Sequence, residues 1–229
     1  MSRRHSSGGA RQLYVFALCR STARVPAAIG RHRLERIAIG GVAAIAERRT
    51  SMPALSERSL RDQHRVVVAL HQHVDALIPV RFGALLERSE LERIVRLRRS
   101  ALGRALTRVR GRAQMTIRAF GAAREPSQSA AARSGTAYLA ERARAARPEV
   151  PPAAEAVRLA VGALVAEESI EAGRGGGSVV INHLIRARDA EAYLDHAGGA
   201  LAGVPAGTLT VSGPWPPFAF APEIMDAAS

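Results

Sequence analysis

Short apolar runs separated by polar residues along the first third of the chain predict several strands. An uninterrupted apolar run at 13–18 predicts a strand that is covered on both faces. Residues 34–39 and 42–46 predict two shorter strands, and the Gly40-Gly41 pair between them is typical of a hairpin turn. The beginning of the chain is therefore expected to form a sheet.

A helix is predicted to follow these strands, with the Ser59 hydroxyl as its cap. Its apolar stripe at helical spacing consists of Leu60, His64, Val67, His71 and Val74. Strands and helix together predict an N-terminal α/β domain over residues 12–75, preceded by a disordered basic arm at 1–11.

The next segment predicts a strand, a helix and a second strand. Residues 77–85 form a strand candidate that Pro79 interrupts, which favours an edge position or a bulge. Ser89 and Glu92 have the spacing of a capping box, and the helix that they open is expected to continue to about residue 109. Residues 112–120 then alternate strictly, as a half-buried strand does.

The last third of the chain predicts two pairs of elements. Helices are expected at 136–146 and from Pro152 to about residue 172, because Pro151-Pro152 suits a first helical turn. A strand at 179–187 precedes a helix capped by Asp189, and a final strand is expected at 208–212.

These elements predict an α+β protein. Without the helix pair at 136–172, the order from 77 to 212 is β-α-β-β-α-β, the order of a ferredoxin-like sheet. The prediction is therefore an α/β N-terminal domain followed by a modified ferredoxin-like domain at 76–222, with an inserted helical hairpin at about 136–172 and a tail at 223–229.

The charge balance of the chain is strongly basic. Lysine and arginine total 33 residues against 20 acidic ones, for a net charge of +13, and every basic residue is arginine. Such exclusive use of arginine indicates compositional bias as much as selection for phosphate binding. No apolar run reaches the roughly 20 residues that a membrane span needs. The single Cys19 excludes an internal disulfide, and a cytoplasmic location is expected.

Candidate catalytic and metal sites are weak. His64, His71 and His73 lie close in sequence to Asp75, but they lack the i, i+4 spacing of zinc-binding helices. Glu167, Glu168 and Glu171 are interpreted as the solvated end of a helix, and Cys19 has no activating neighbour. The expectation is a protein with no enzymatic activity, no metal and no cofactor.

Nucleic-acid binding is the alternative function, because a basic ferredoxin-like sheet can bind RNA. Such a platform needs exposed aromatic residues on its central strands. The expected central strands carry mainly Met115, Ile117, Val179 and Ile181, with Phe120 at one end.

The segment after the last strand concentrates prolines and aromatic rings, and we call it the closing segment. It runs Gly213, Pro214, Trp215, Pro216, Pro217, Phe218, Ala219, Phe220. The prolines are expected to end the sheet, since each lacks a backbone donor. Two interpretations remain open: a strap that packs its rings on its own domain, and a preorganised docking surface for another protein.

This segment and an earlier one, Pro79-Val80-Arg81-Phe82-Gly83, resemble the gas vesicle protein GvpL/GvpF family. Further pieces of the resemblance follow in the family's order over about residues 12–221: Tyr14-Val15-Phe16-Ala17, Val42-Ala43-Ala44-Ile45, His64 with Val66-Val67, and Gly135-Thr136-Ala137-Tyr138-Leu139. Two departures are Phe218-Ala219-Phe220 in place of the family's usual Tyr-Ser-Phe, and Gln114 in place of its common Glu.

The resemblance implies a two-domain, non-enzymatic accessory protein of gas vesicle assembly. Its implied partners are the small hydrophobic shell protein and other gas vesicle accessory proteins. The candidate signature residues for protein binding or structure are Pro79, Arg81, Phe82, Gly83, Gly213, Pro214, Trp215, Pro216, Pro217, Phe218 and Phe220.

Overall fold

A computed structural model describes residues 12–120, 149–173 and 178–222. The chain mixes helices and sheets, which confirms the predicted α+β class. It divides into two compact units. The first contains the described residues up to Arg112 together with those from Pro216 onward, and the second spans Ala113–Trp215.

The first unit is built on a sheet whose centre is the strand β1 (Gln12–Arg20). Its order is β4 (Glu35–Ile39), β5 (Val42–Arg49), β1 and β6 (Leu77–Pro79), and β7 (Leu85–Leu86) also pairs with β1. A separate short ribbon joins β2 (Ala28–Ile29) and β3 (His32–Arg33). The predicted strands at 13–18, 34–39 and 42–46 are confirmed.

Both glycines of the predicted hairpin have positive φ, 55° at Gly40 and 93° at Gly41. A two-residue turn of this type matches the twist of the strands that it joins. Leu13–Cys19 of β1 are buried, as expected for a central strand covered on both faces. Pro79 lies in the edge strand β6, which confirms its predicted position.

Helix α1 (Glu57–His71) packs on one face of this sheet. Its N-cap lies three residues earlier than predicted, because Ser56 is the cap and Ser59 closes the capping box from the N3 position. The predicted apolar stripe is right only in part: Val67 and Val74 are buried, but Leu60 and His64 are exposed. The other buried residues of the helix are Gln63, Val66 and Leu70. Gln63 enters the core because its amide is hydrogen-bonded on both sides.

Helices α2 (Arg88–Leu97) and α3 (Arg99–Arg108) stand where one helix was predicted. The helix is interrupted at Arg98, whose φ of -101° and ψ of 12° are not helical. The predicted capping box at Ser89 is wrong, since Glu87 is the N-cap and forms no side-chain cap bond. The buried faces of both helices nevertheless follow the predicted pattern, with Leu91, Val95, Leu102 and Leu106 buried.

The described residues of the second unit form a four-stranded sheet with two α-helices. Its elements are β8 (Arg112–Phe120), α4 (Pro152–Val161), β9 (Val165–Ala172), β10 (Ser178–Arg186), α5 (Ala190–Leu201) and β11 (Leu209–Trp215). The strands lie in the order β11-β8-β10-β9. The helices α4 and α5 contact each other, and their buried residues Val157, Val161 and Tyr193 join one core with Met115 and Ile181.

Three predictions about this part of the chain are wrong. Residues 77–79 pair with β1, so they do not open the second sheet, and residues 76–112 belong to the first unit. The helix from Pro152 ends at Val161, and residues 165–172 form β9, which pairs antiparallel with β10. Among the described elements, the β-α-β-β-α-β order is therefore made by β8, α4, β9, β10, α5 and β11, and α4 is the helix that directly precedes β9.

Some predictions concern residues outside the described ranges: the basic arm at 1–11, the helix at 136–146 and the tail at 223–229. The strands predicted at 112–120 and 179–187 are confirmed. Asp189 occupies the N-cap of α5, as predicted, but its side chain forms no cap bond.

The last strand continues further than predicted. It passes Pro214 and reaches Trp215, which pairs with Gln114 of β8. A register shift between Ser212 and Trp215 places Gly213 and Pro214 in a bulge, where the proline needs no ladder hydrogen bond. The expectation that the prolines end the sheet at residue 212 is therefore wrong.

Candidate functional site

The first signature segment is a loop clamped to the central strand of the first unit. Val80 donates its amide to the Phe16 carbonyl at 2.9 Å, and Val15 donates to the Ala84 carbonyl at 2.9 Å. Arg81, Phe82 and Gly83 form the loop between these two bonds. Gly83 has a φ of +99°, a conformation that favours glycine. Phe82 packs edge-on against Tyr14, with ring centroids 6.2 Å apart.

Helix α1 holds this loop through Gln63. The Gln63 side-chain amide donates to the Val80 carbonyl at 2.9 Å, and its oxygen accepts a hydrogen bond from the Tyr14 hydroxyl. Burial raises the pKa of Tyr14, against the opposing effects of a backbone hydrogen bond from Gly83 and the charge of Arg49. The phenol therefore stays protonated and remains a donor to Gln63.

Asp62, which precedes Gln63 on α1, belongs to a second group of polar side chains around His32. Asp62 accepts from His32 Nε2 at 3.0 Å and from Arg31 at 2.6 Å, while His32 Nδ1 lies 3.0 Å from the Glu47 carboxylate. Burial alone would raise the pKa of Asp62, but the bonds from Arg31 and His32 outweigh it and lower that pKa. A small, partly open cavity beside these groups measures about 50 Å³, room for about one or two water molecules.

The closing segment begins with a close approach of two backbones. Gly213 has a φ of +133°, and a Cβ placed there would lie 2.8 Å from the Gln114 carbonyl oxygen. Only glycine fits this bulge without displacing β8. Trp215 follows, half-buried, and its indole Nε1 donates to the Ser212 hydroxyl at 3.2 Å. This part of the segment lies in the second unit.

The remainder of the closing segment lies in the first unit, where it divides into a buried base and an exposed ring. Pro216, Pro217 and Phe220 are buried, and the Arg108 guanidinium lies 5.5 Å from the centroid of the Phe220 ring. Phe218 is 38% exposed and stacks on His64, with centroids 5.5 Å apart and an interplanar angle of 20°. Phe220 thus packs on its own unit, as the strap interpretation expects, whereas the Phe218 ring keeps an exposed part.

Three consecutive residues of α1 connect these features. Asp62 binds the His32 cluster, Gln63 binds the Val80 carbonyl, and His64 supports Phe218. The two signature segments are therefore brought to the same helix of the first unit. Leu60, one turn before His64 on the same helix, is 44% exposed, and Leu55 in the preceding loop is 78% exposed.

Comparison with known proteins identifies the family. The model of the family described as "Gas vesicle synthesis protein GvpL/GvpF" matches residues 12–222. The chain belongs to the GvpL/GvpF family. That membership connects the protein with gas vesicles, and it confirms the resemblance carried by the two signature segments.

Two solved structures of the family share the fold. The gas vesicle protein GvpF from Anabaena sp. PCC7120 is 14% identical, with a TM-score of 0.70 over 93% of this chain and 97% of that chain. GvpF from Microcystis aeruginosa is 12% identical, with a TM-score of 0.71 over 93% of this chain and 100% of that chain. No curated protein sequence matches the chain.

Sequence reasoning missed a partly buried polar network in the second unit of this GvpL/GvpF protein. Glu168 binds the Arg158 guanidinium at 2.7 and 2.9 Å and lies 2.9 Å from His183 Nε2, while His183 Nδ1 lies 2.7 Å from the Tyr193 hydroxyl. Burial would raise the pKa of Glu168, but Arg158 and His183 outweigh it and lower that pKa. The interpretation of Glu168 as part of a solvated helix end is wrong.

His183 is a structural histidine in this network. Burial lowers its pKa, against the opposing hydrogen bond to Glu168, and burial also raises the pKa of Tyr193. A neutral ring that donates from Nε2 to Glu168 and accepts at Nδ1 from Tyr193 satisfies both contacts. His183 and Tyr193 are 1% and 0% exposed, so the pair is closed to solvent.

In the sheet of the second unit, the face opposite to His183 is the one to examine for nucleic-acid binding, the alternative function, which family membership does not favour. Gln114 and Thr116 of β8 both donate to the Asn182 side-chain oxygen of β10 at 3.0 Å. These positions on the two central strands carry no aromatic ring, and Phe120, at the end of β8, is 45% exposed. The Gln114 side chain acts here as a hydrogen-bond donor, a role that an ionised glutamate cannot fill.

The histidines considered as ligands are spread over different environments. His64 stacks on Phe218, and His73 Nδ1 lies 2.7 Å from the Ala69 carbonyl. Within the described ranges, no group of three or more His, Cys, Asp or Glu residues is placed to hold a metal ion. Burial raises the pKa of Cys19 to about 11, so the thiol remains protonated. Among the described helices, none is long and apolar enough to cross a membrane.

Proposed function

We propose that this protein is a non-enzymatic gas vesicle assembly factor, located in the cytoplasm and at gas vesicles, that binds the small hydrophobic shell protein and other gas vesicle accessory proteins. Membership of the GvpL/GvpF family supports this role. The observation that carries the binding site is the exposed Phe218 ring, which stands on a buried base of two prolines and stacks on His64.

The docking surface consists of Leu55, Leu60, His64 and Phe218 in the first unit, and we call it the α1 surface. Its three apolar side chains are between 38% and 78% exposed. An aromatic ring held rigid before binding loses little conformational entropy when a partner covers it. A hydrophobic shell subunit is a suitable partner for such a group of exposed apolar side chains.

The remaining signature residues have structural roles in this proposal. Gly213 and Trp215 close the last strand of the second unit, which we describe as a ferredoxin-like βαββαβ domain. Pro79, Phe82 and Gly83 fasten the loop beside β1. Their substitution is expected to reduce folding before it affects binding, so they are poor probes of the partner surface.

Co-purification of the shell protein with the tagged chain tests the proposal. We expect Phe218→Ala to weaken binding about tenfold, the size of a moderate hot spot of about 1.4 kcal/mol. The matched control is Phe120→Ala, which removes another exposed phenylalanine, 45% exposed, from the second unit. Equal retention of the shell protein by both correctly folded variants contradicts the α1 surface, and absence of binding by the unchanged chain contradicts the partner.

A further inference from the structure

An open groove of about 270 Å³ lies in the first unit, away from the residues of the α1 surface. Its walls come from the end of β1, the β4–β5 turn and one side of α3. The lining residues are Arg20, Gly40, Gly41, Val42, Arg99, Gly103, Leu106 and Thr107. They include two guanidinium groups and no acidic side chain.

The two arginines of this groove lack an acidic partner. Neither forms an ion pair with a carboxylate in the portion of the chain that the structure describes. The Arg20 Nη2 donates to the Thr107 hydroxyl at 3.2 Å, but its buried Nε has no hydrogen-bond partner there. A buried donor without an acceptor is costly, and the cost is larger for a charged group.

The second guanidinium lies across the glycine turn. A Cβ placed at Gly40 would be 3.7 Å from Arg99 Nε and 3.9 Å from Arg99 Cζ, ordinary contact distances. Arg36, which donates to the Ser21 carbonyl, adds a third positive charge near the same end of β1. Val42 and Leu106 are 3% and 2% exposed and form a closed apolar floor. Positive charge is therefore concentrated beside a buried apolar floor, in a groove that is open to solvent.

We propose that this groove binds a carboxylate, presented as an acidic side chain of a partner peptide, between Arg99 and Arg20. A guanidinium matches a carboxylate through two parallel hydrogen bonds. The volume is below the roughly 300–1,000 Å³ of pockets for drug-sized ligands, so the groove takes a single side chain or a small anion. The site shares no lining residue with the α1 surface and does not depend on the proposed shell-protein contact.

Titration of the full-length protein, monitored by amide NMR, tests this site. The probe is a blocked pentapeptide with two glutamates, and the control ligand is the same peptide with glutamines. Saturable shifts are expected at the Gly40, Gly41 and Thr107 amides with the acidic peptide alone, and they should weaken at high salt. Arg99→Gln is expected to reduce affinity about tenfold, as loss of one charge-assisted pair predicts.

The matched control is Arg104→Gln, which removes an exposed arginine of the same helix that does not line the groove. It should change affinity less than about twofold, the level of a screened surface charge. Shifts with free succinate of equal affinity would support the carboxylate site and assign it to a small anion. Shifts spread over the arginine-rich surface, or equal losses in the two variants, would overturn the proposal.

Discussion

The close approach of two backbones at Gly213 makes a quantitative prediction about the second unit. In Gly213→Ala, the new Cβ would lie 2.8 Å from the Gln114 carbonyl oxygen and 3.2 Å from Met115 Cα, both of which belong to β8. A backbone atom cannot move aside as the end of a flexible side chain can. The substitution therefore strains the pairing of β11 with β8 or separates the two strands.

Two effects set the expected loss in the free energy of unfolding of Gly213→Ala. An alanine at a φ of +133° costs about 1–3 kcal/mol, because this region is nearly exclusive to glycine. Overpacking against β8 adds about 1–3 kcal/mol. The sum, about 2–6 kcal/mol, corresponds to a fall in the urea midpoint of about 1–3 M at a slope near 2 kcal/mol/M.

Trp215 supplies the assay, because it is the chain's only tryptophan and lies two residues away on the same strand. Its fluorescence during urea unfolding reports on the second unit. The matched control is Gly207→Ala in the same unit, where φ is +82° and nothing lies within 4 Å of the added Cβ. We expect Gly207→Ala to lower the free energy of unfolding by about 1–2 kcal/mol, from backbone strain alone. A loss at Gly213 no larger than that at Gly207 refutes the steric argument.

Two further predictions concern buried hydrogen bonds. The folded-state pKa of His183 is lowered, so the unfolded chain binds more protons and stability falls as pH drops below about 6.5. His183→Gln should flatten that fall in the urea midpoint between pH 7 and 5, whereas the exposed His196→Gln should leave it unchanged; equal pH slopes for both contradict the assignment. Tyr14→Phe should destabilise the first unit by about 1–2 kcal/mol, because the buried Gln63 oxygen loses its donor. Thermal unfolding followed by circular dichroism measures this, and an unchanged midpoint contradicts it.

Elements with a strong local signal were predictable from the sequence. The apolar run of β1 indicated a strand covered on both faces, and Leu13–Cys19 are buried. Strict alternation identified β8 within the bounds that the structure has. The glycine pair 40–41 identified its hairpin because only positive φ angles fit so short a turn.

Elements that depend on distant partners were not predictable. Residues 165–172 continue a helix-like apolar pattern, yet they form β9 because β10 supplies their hydrogen-bond partners. The stripe of α1 was misplaced in part because Gln63 is buried. The sequence around a glutamine does not show that a tyrosine hydroxyl and a backbone carbonyl will satisfy its side-chain amide in the fold. For the same reason Glu168, read as solvated, lies in a network with Arg158 and His183.

By itself, the sequence determined the family and the α+β class and located the closing segment, because these rest on residue types and spacings that are local to the chain. The tertiary structure alone decided how that segment is divided. Gly213 and Trp215 complete a strand, Pro216, Pro217 and Phe220 are buried, and Phe218 stays exposed on His64. Burial depends on what lies opposite each side chain in the fold, and spacing along the chain does not encode it.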